Sequence, residues 1–159
     1  MAAYLPSTKE IRDLLTGVLG REITLSPTTP FAPRPDEAAS IAVYVDDQLR
    51  ITALIAGDLA VSAYAGAALG LVPVGGAQAV IEEGVLSPTL TENLYEVLNI
   101  AASLFNAPGA DHLRLHELHA AGPVLPPLVR AQALTLGRRE DLTVDIAGYG
   151  AGRLSIVLL

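Results

Sequence analysis

Apolar and polar positions follow two different periods along this chain of 159 residues. Between Ser87 and Asn106 the apolar side chains recur every three or four residues, which predicts a long helix with one buried face. That face contains Leu90, Leu94, Val97, Leu98, Ala101, Leu104 and Phe105. Ser87 and Pro88 are suited to begin the helix, because a serine hydroxyl caps free amides and proline needs no amide hydrogen at the first helical position.

The rest of the chain divides into further helices and a set of strands. A capping box at Ser7 to Glu10 begins an amphipathic helix that ends at Gly20. An Ala-rich helix is predicted from Gly57-Asp58 to about Gly70, and a short turn and helix over 74–83. Alternating segments predict strands at 41–45, 49–55, 113–115, 131–136, 142–146 and 154–158.

This order of elements predicts an α+β fold in which helices pack on one face of an antiparallel sheet. We expect one domain over residues 1–159, with a hydrophobic content of 51% that is sufficient for a real core. Residues 1–39 are expected to hold the N-terminal helix and a proline-rich connector at 26–35, and residues 40–159 the core. The absence of cysteine excludes disulfides and thiol catalysis and fits a cytoplasmic location.

Charge is distributed unevenly. The net charge is −7, and no Lys or Arg occurs between Arg50 and Arg114, an interval that contains six acidic residues. An acidic middle repels nucleic-acid phosphates, so nucleic acid is excluded as a partner, and a partner that presents lysine or arginine is favoured.

One uncharged stretch, Leu59 to Ile81, has the length of a membrane span. Pro73, Gly75 and Gly76 interrupt it, and no basic cluster flanks it. We therefore predict a buried helix followed by a turn, with no membrane span.

The polar side of the long helix is the candidate functional surface. Glu92, Glu96, Asn99, Ser103 and Asn106 fall on one stripe opposite the apolar face. The pattern Glu92-x3-Glu96-x2-Asn99, with Pro123 about two dozen residues further on, resembles the signature of the CheC/CheX/FliY family of chemotaxis phosphatases. The proline lies one residue further along than in that signature.

The resemblance implies a phosphatase that removes phosphate from the aspartyl phosphate of a CheY-like receiver domain. In this interpretation Glu96 docks on the receiver's lysine, Asn99 orients the attacking water, and Glu92 and Ser103 contact the partner. The chain would need no cofactor of its own, and Mg²⁺ is expected in the receiver's site. The chain is most similar to the single-site CheX type, which implies a homodimer. The apolar terminal segment 154–159 is then either a central strand or an edge that pairs with another subunit.

A weak internal repeat is also visible. A shift of 34 residues places Asp58, Ser62 and Ala65 on Glu92, Glu96 and Asn99, which is consistent with two related CheC-like half-domains in pseudo-two-fold arrangement.

Two alternative functions remain open at the level of sequence. One is a catalytically silent binding or assembly module of the chemotaxis or flagellar apparatus. The other is a small-molecule binding domain, which would require a sizeable apolar pocket. His112 and His116 are too far apart on a strand to share a metal ion, so no metal site is predicted. The glycine-rich segment 148–152 is predicted to be a hairpin loop rather than a phosphate-binding loop.

Overall fold

The computed structural model describes residues 3–31, 33–34, 37–122 and 125–159. Its helices are α1 (Thr8–Leu19), α2 (Leu59–Leu69), α3 (Val74–Glu83), α4 (Pro88–Ala101) and α5 (Pro127–Ala133), and a 3₁₀ turn, Ala102–Phe105, continues α4. Its strands are β1 (Ile23–Pro27), β2 (Ala39–Val45), β3 (Ile51–Asp58), β4 (Arg114–His119), β5 (Arg139–Ile146) and β6 (Gly150–Leu158).

The strands form one antiparallel sheet in the order β1-β5-β6-β3-β2-β4. Apolar side chains of α1 to α4 pack on one face of this sheet and form the main core. A smaller apolar cluster lies on the opposite face, where Phe31, Leu125, Val129 and Ala133 cover the central strands. The predicted α+β class is confirmed, with the short helix α5 added on the second face.

The topology contains a pseudo-two-fold repeat that differs from the one expected. The succession α1-β1-β2-β3 is repeated as α4-β4-β5-β6. Exchanging the strands of the two sets gives the same strand order, read from the opposite edge of the sheet. The edge strands are swapped, because β1 pairs with β5 and β4 pairs with β2. The related helices are therefore α1 and α4, and the expected relation between α2 and α4 is wrong.

The N-terminal segment belongs to the core. β1 hydrogen-bonds to β5, and Ile11, Leu15, Leu19 and Ile23 are buried in the main cluster. The core boundary expected at residue 40 is therefore wrong, since α1 and β1 lie inside it.

One strand prediction is corrected. Residues 131–136 were expected to be a strand, but residues 127–133 form α5, in which Val129 and Ala133 lie one turn apart and both face the sheet. Of the two alternatives left open for the terminal segment, the central strand is confirmed, because β6 pairs on its two sides with β3 and β5. β1 was not predicted. Strands β2 to β5, the hairpin between β2 and β3 and the glycine-rich hairpin at 147–149 lie where the sequence predicts them, with shifted ends.

The long uncharged stretch folds into α2 and most of α3, with a turn at 70–73 between them. Within the described ranges no helix has both the length and the apolar character that a bilayer crossing needs.

Candidate functional site

The start of α4 follows from its sequence. The Ser87 hydroxyl accepts a hydrogen bond from the Leu90 amide at 3.3 Å, and Pro88 occupies the first helical position. The apolar face, made of Leu90, Leu94, Val97, Leu98 and Ala101, is buried. This part of the predicted helix is confirmed.

The end of α4 is tied to the sheet by a buried tyrosine. At Ala102 the helix tightens into a 3₁₀ turn, and the Ala102 amide donates to the Asn99 carbonyl. In an α-helix that amide would donate to the carbonyl of Leu98. The Leu98 carbonyl instead accepts a hydrogen bond from the Tyr44 hydroxyl at 2.6 Å. Burial raises the pKa of Tyr44, so its hydroxyl stays protonated and remains a donor.

A second contact holds α4 against α2. The Asn93 side-chain amide donates to the Gly66 carbonyl at 3.0 Å. A methyl group on Gly66 would come within 2.7 Å of the Leu90 carbonyl oxygen, so only glycine permits this close approach. Together with the Tyr44 bond, this contact fixes which side of α4 faces outward.

Glu92, Glu96, Asn99 and Ser103 are all exposed on that outward side. Among the described residues, neither glutamate forms an ion pair, and the Asn99 and Ser103 side chains make no hydrogen bond. Glu96 and Asn99 lie at spacing i,i+3, which brings their Cβ atoms to about 5–6 Å from each other. The structure therefore leaves a carboxylate and a carboxamide side by side and unengaged.

Asn106 does not share this arrangement. Its carboxamide accepts from the Leu113 amide at 2.9 Å and donates to the Leu113 carbonyl at 3.3 Å. The stripe predicted from Glu92 to Asn106 thus ends at Ser103, because Asn106 fastens the loop that leads to β4. Pro123, the last position of the signature, lies outside the described residues.

The related helix α1 presents a different set of side chains. Its buried residues Ile11, Leu15 and Leu19 match Leu94, Leu98 and Ala102 at a constant separation of 83 positions (11 + 83 = 94). The same separation places Lys9, Asp13 and Thr16 at the positions of Glu92, Glu96 and Asn99. Lys9 pairs with Asp13 at 2.8 Å, so the α1 face lacks both a free acid and a carboxamide.

The positions used for the 34-residue repeat have other roles. Asp58 caps α2 by accepting from the Val61 amide at 2.8 Å and also accepts from the Arg153 amide at 3.0 Å. Burial raises the pKa of Asp58 against the opposing effect of these two bonds. Ser62 and Ala65 are buried and not available to a partner.

Sequence reasoning missed two apolar side chains that border the polar stripe. Tyr95 is 43% exposed and Ile100 is 40% exposed. At 100° per residue they fall on opposite sides of the Glu92–Ser103 stripe. Helical spacing alone contains this information, since both residues lie off the apolar face that the sequence predicts.

Other candidate sites are weaker. An apolar cavity of about 40 Å³ lies between α1, α4 and the sheet, far below the roughly 300–1,000 Å³ of a ligand pocket. Nothing in the described ranges groups three or more His, Asp or Glu side chains around a metal position. His112 and His119 instead lie near Asp47 and Glu117, at 3.8 Å and 3.5 Å.

No protein-family model and no curated protein matches the chain. Solved structures do match. The FliM middle domain from Vibrio alginolyticus has a TM-score of 0.58 at 10% identity, over 94% of this chain and 87% of that one. FliY from Thermotoga maritima has a TM-score of 0.55 at 13% identity, over 92% of this chain and 81% of that one. CheX from Borrelia burgdorferi, solved in complex with CheY, has a TM-score of 0.49 at 10% identity, over 92% and 90%.

Identities this low establish the fold alone. The chain has the fold of the FliM middle domain and of FliY, and the resemblance to the CheC/CheX/FliY family is confirmed at the level of the fold.

Proposed function

We propose that this protein is a phosphatase acting on the aspartyl phosphate of a CheY-like receiver domain. The proposal rests on Glu96 and Asn99, whose side chains are exposed and, among the described residues, form no ion pair or hydrogen bond. The hydrogen bonds of Tyr44 and Asn93 fix the orientation of the helix that carries them. Rigid support of this kind is what a docking and positioning surface requires, because a misplacement of about 1 Å is enough to cost catalysis.

The chemistry assigns one role to each side chain. A carboxamide both donates and accepts hydrogen bonds and does not titrate, so Asn99 orients a water molecule in line with the phosphorus–oxygen bond. Glu96, one turn away, pairs with a lysine of the receiver and places Asn99 over the phosphate. Such a pair contributes more to orientation than to affinity. Glu92 and Ser103 contact the partner at either end of the stripe.

The chain supplies no metal to this reaction. Mg²⁺ belongs to the receiver's own site, where it neutralises charge on the phosphoryl group. What this protein adds is the water-positioning carboxamide and the docking carboxylate.

A second candidate is a binding or assembly module without catalysis. It is favoured by the FliM structures among the structural neighbours. One of these matches is a FliG–FliM complex from H. pylori, with a TM-score of 0.51. Such a module would bind its partner through the same outward face of α4 and leave the partner's phosphate lifetime unchanged.

The decisive experiment follows phosphate release from phosphorylated receivers with the wild-type chain and with Asn99→Ala. We expect the variant to bind the receiver normally and to lose on the order of 100-fold in the rate of release, the scale found when a positioned polar group is removed. Thr16→Ala, at the equivalent place on α1, is the matched control and should keep full activity.

If Asn99→Ala hydrolyses as fast as the wild type, the assignment of Asn99 is wrong. If the wild type binds receivers but never shortens their phosphate lifetime, the binding-module function replaces the phosphatase. A cytoplasmic location and a homodimer also stay predictions. A dimer formed by strand pairing would have to use β1 or β4, because these are the edges of the sheet.

A further inference from the structure

The outward face of α4 has a defined chemical layout. Glu92, Glu96, Asn99 and Ser103 form its centre, and Tyr95 and Ile100 stand on its two sides. Tyr95 lies one turn before Asn99, and Ile100 lies one turn after Glu96. Each candidate functional side chain therefore has an apolar neighbour at spacing i,i+4, with Cβ atoms about 5–6 Å apart.

The centre carries unbalanced negative charge. Glu92 and Glu96 are spaced i,i+4 and repel each other. In the described part of the chain, no cation pairs with either of them. Residues 51–113 contain no Lys or Arg. The same part of the chain includes two more exposed glutamates, Glu82 and Glu83 on α3. A partner that brings cationic side chains relieves this repulsion.

Apolar side chains beside a charged contact have a known effect in interfaces. They exclude water from the contact, and a pair formed in a water-excluded site is stronger than one formed in open solvent. Tyrosine is enriched at such positions because its large ring buries much area at small entropic cost.

We infer that Tyr95 and Ile100 are the affinity and specificity determinants of this site, and that its occupant is a receiver surface with two cationic side chains bordered by apolar residues. The inference rests on the proposed function and extends it from the reacting pair to the partner that fits. Glu96 and Glu92 take the two cations, and Tyr95 and Ile100 close the contact on either side.

The test uses the full chain and a CheY-like receiver loaded with beryllofluoride and Mg²⁺, a stable analogue of the aspartyl phosphate. Tyr95→Ala and Ile100→Ala are each expected to weaken binding about 10-fold, the change that a moderately important interface residue produces. Tyr95→Phe and Ile100→Leu should retain most of the affinity, because they keep the apolar area. Glu92→Gln should reduce the dependence of the association rate on salt.

Leu128→Ala is the matched control. Leu128 is 68% exposed on α5, on the opposite face of the sheet, so its truncation should leave receiver binding unchanged. We expect the alanine variants to fold, because both positions are exposed on the helix and alanine has a higher helix propensity than tyrosine or isoleucine. Tyr95→Ala and Ile100→Ala should raise the receiver concentration needed for half-maximal phosphate release, whereas Asn99→Ala should lower the rate at saturating receiver.

The outcomes are distinguishable. Affinities within twofold of wild type for both alanine variants overturn the inference and leave the phosphatase proposal standing. If the wild-type chain binds the loaded receiver and both alanine variants bind it more weakly, the inference is upheld. If that wild-type chain also never speeds phosphate release from the phosphorylated receiver, catalysis is refuted. A wild-type chain that binds no loaded receiver overturns both.

Discussion

The hydroxyl of Tyr44 reaches the backbone at Leu98, between the two side chains assigned to the reaction. The polar stripe itself can be predicted from sequence, since it needs only helical spacing. The Tyr44 contact is not visible in the same way, because it depends on the local change from α to 3₁₀ geometry that frees the Leu98 carbonyl. The prediction for Asn106 is wrong because helical spacing does not show its contacts. Its carboxamide bonds to Leu113, in the loop that leads to β4.

A buried charge network fastens the opposite face of the sheet. Arg139 donates to both oxygens of Asp141 at 2.9 to 3.1 Å and also to the carbonyls of Ala133 and Thr135. The Ser155 hydroxyl donates to Asp141 as well. These bonds connect β5 and β6 to the end of α5. Alternation of polar and apolar residues predicts β5 but not this pairing.

The pKa of Asp141 gives a testable pH dependence. Burial alone would raise this pKa, but the hydrogen bonds from Arg139 and Ser155 outweigh it and hold the pKa below its ordinary value. Because the folded-state pKa is lowered, the stabilisation is present above the unfolded value near 4 and is lost as pH falls below it. Asp141→Asn should be destabilised by about 3–5 kcal/mol at neutral pH, since it leaves Arg139 buried without a counter-charge.

The measurement is urea unfolding of wild type and Asp141→Asn at several pH values. We expect the difference in free energy of unfolding to shrink over the interval from about pH 4 downward, because the unfolded chain then binds a proton that the folded carboxylate still resists. A difference that stays constant over this interval would contradict the assignment.

Helix α4 was predicted and helix α5 was not, for physical reasons that differ. α4 has a serine cap, a first-position proline and nearly four turns of regular apolar spacing. α5 has only 7 residues and no side-chain cap. The alternation over 131–136, which begins within α5 and runs past its end, is typical of a strand. β1 was missed because Pro27 suggests a loop, yet proline is tolerated on an edge strand, which is where β1 lies.

The contact between α2 and α4 can be tested by substituting Gly66, with a glycine of α1 as the control. Gly66→Ala should destabilise the fold by about 1–3 kcal/mol, because the new methyl meets the Leu90 carbonyl oxygen. Gly17→Ala is the matched control. Gly17 lies within α1 with nothing within 4 Å of the added methyl, so this change should stabilise by about 0.5–1 kcal/mol. Thermal or urea unfolding of both variants measures the two effects, and equal signs would mean that the helices are not in such close contact.

The two repeats of the molecule depend on each other for their sheet. β1 finds its partner only in the second repeat, and β4 finds its partner only in the first. The resemblance suggested two related halves, but the sequence shift pointed to the wrong pair of helices. Two amphipathic helices match at several shifts, so only the strand order identifies α1 and α4 as related.

This interdependence predicts the behaviour of fragments. Residues 1–84 and residues 85–159, separated at the turn after α3, should each fail to unfold cooperatively when alone. Mixed in equal amounts, they should recover the circular dichroism and the cooperative thermal transition of the intact chain. A cooperative transition in either fragment by itself would show that the swapped edges are not required.

The swapped edges also bear on how such a protein can diverge. Strand pairing constrains both repeats at once, because a change in either edge affects the sheet of the other. The outward sides of α1 and α4 take no part in that pairing, so each is free to acquire its own chemistry. Lys9 pairs with Asp13 on α1, whereas on α4 Glu92 and Glu96 form no ion pair within the described residues. The scaffold can therefore carry one working surface and one silent surface without loss of its architecture.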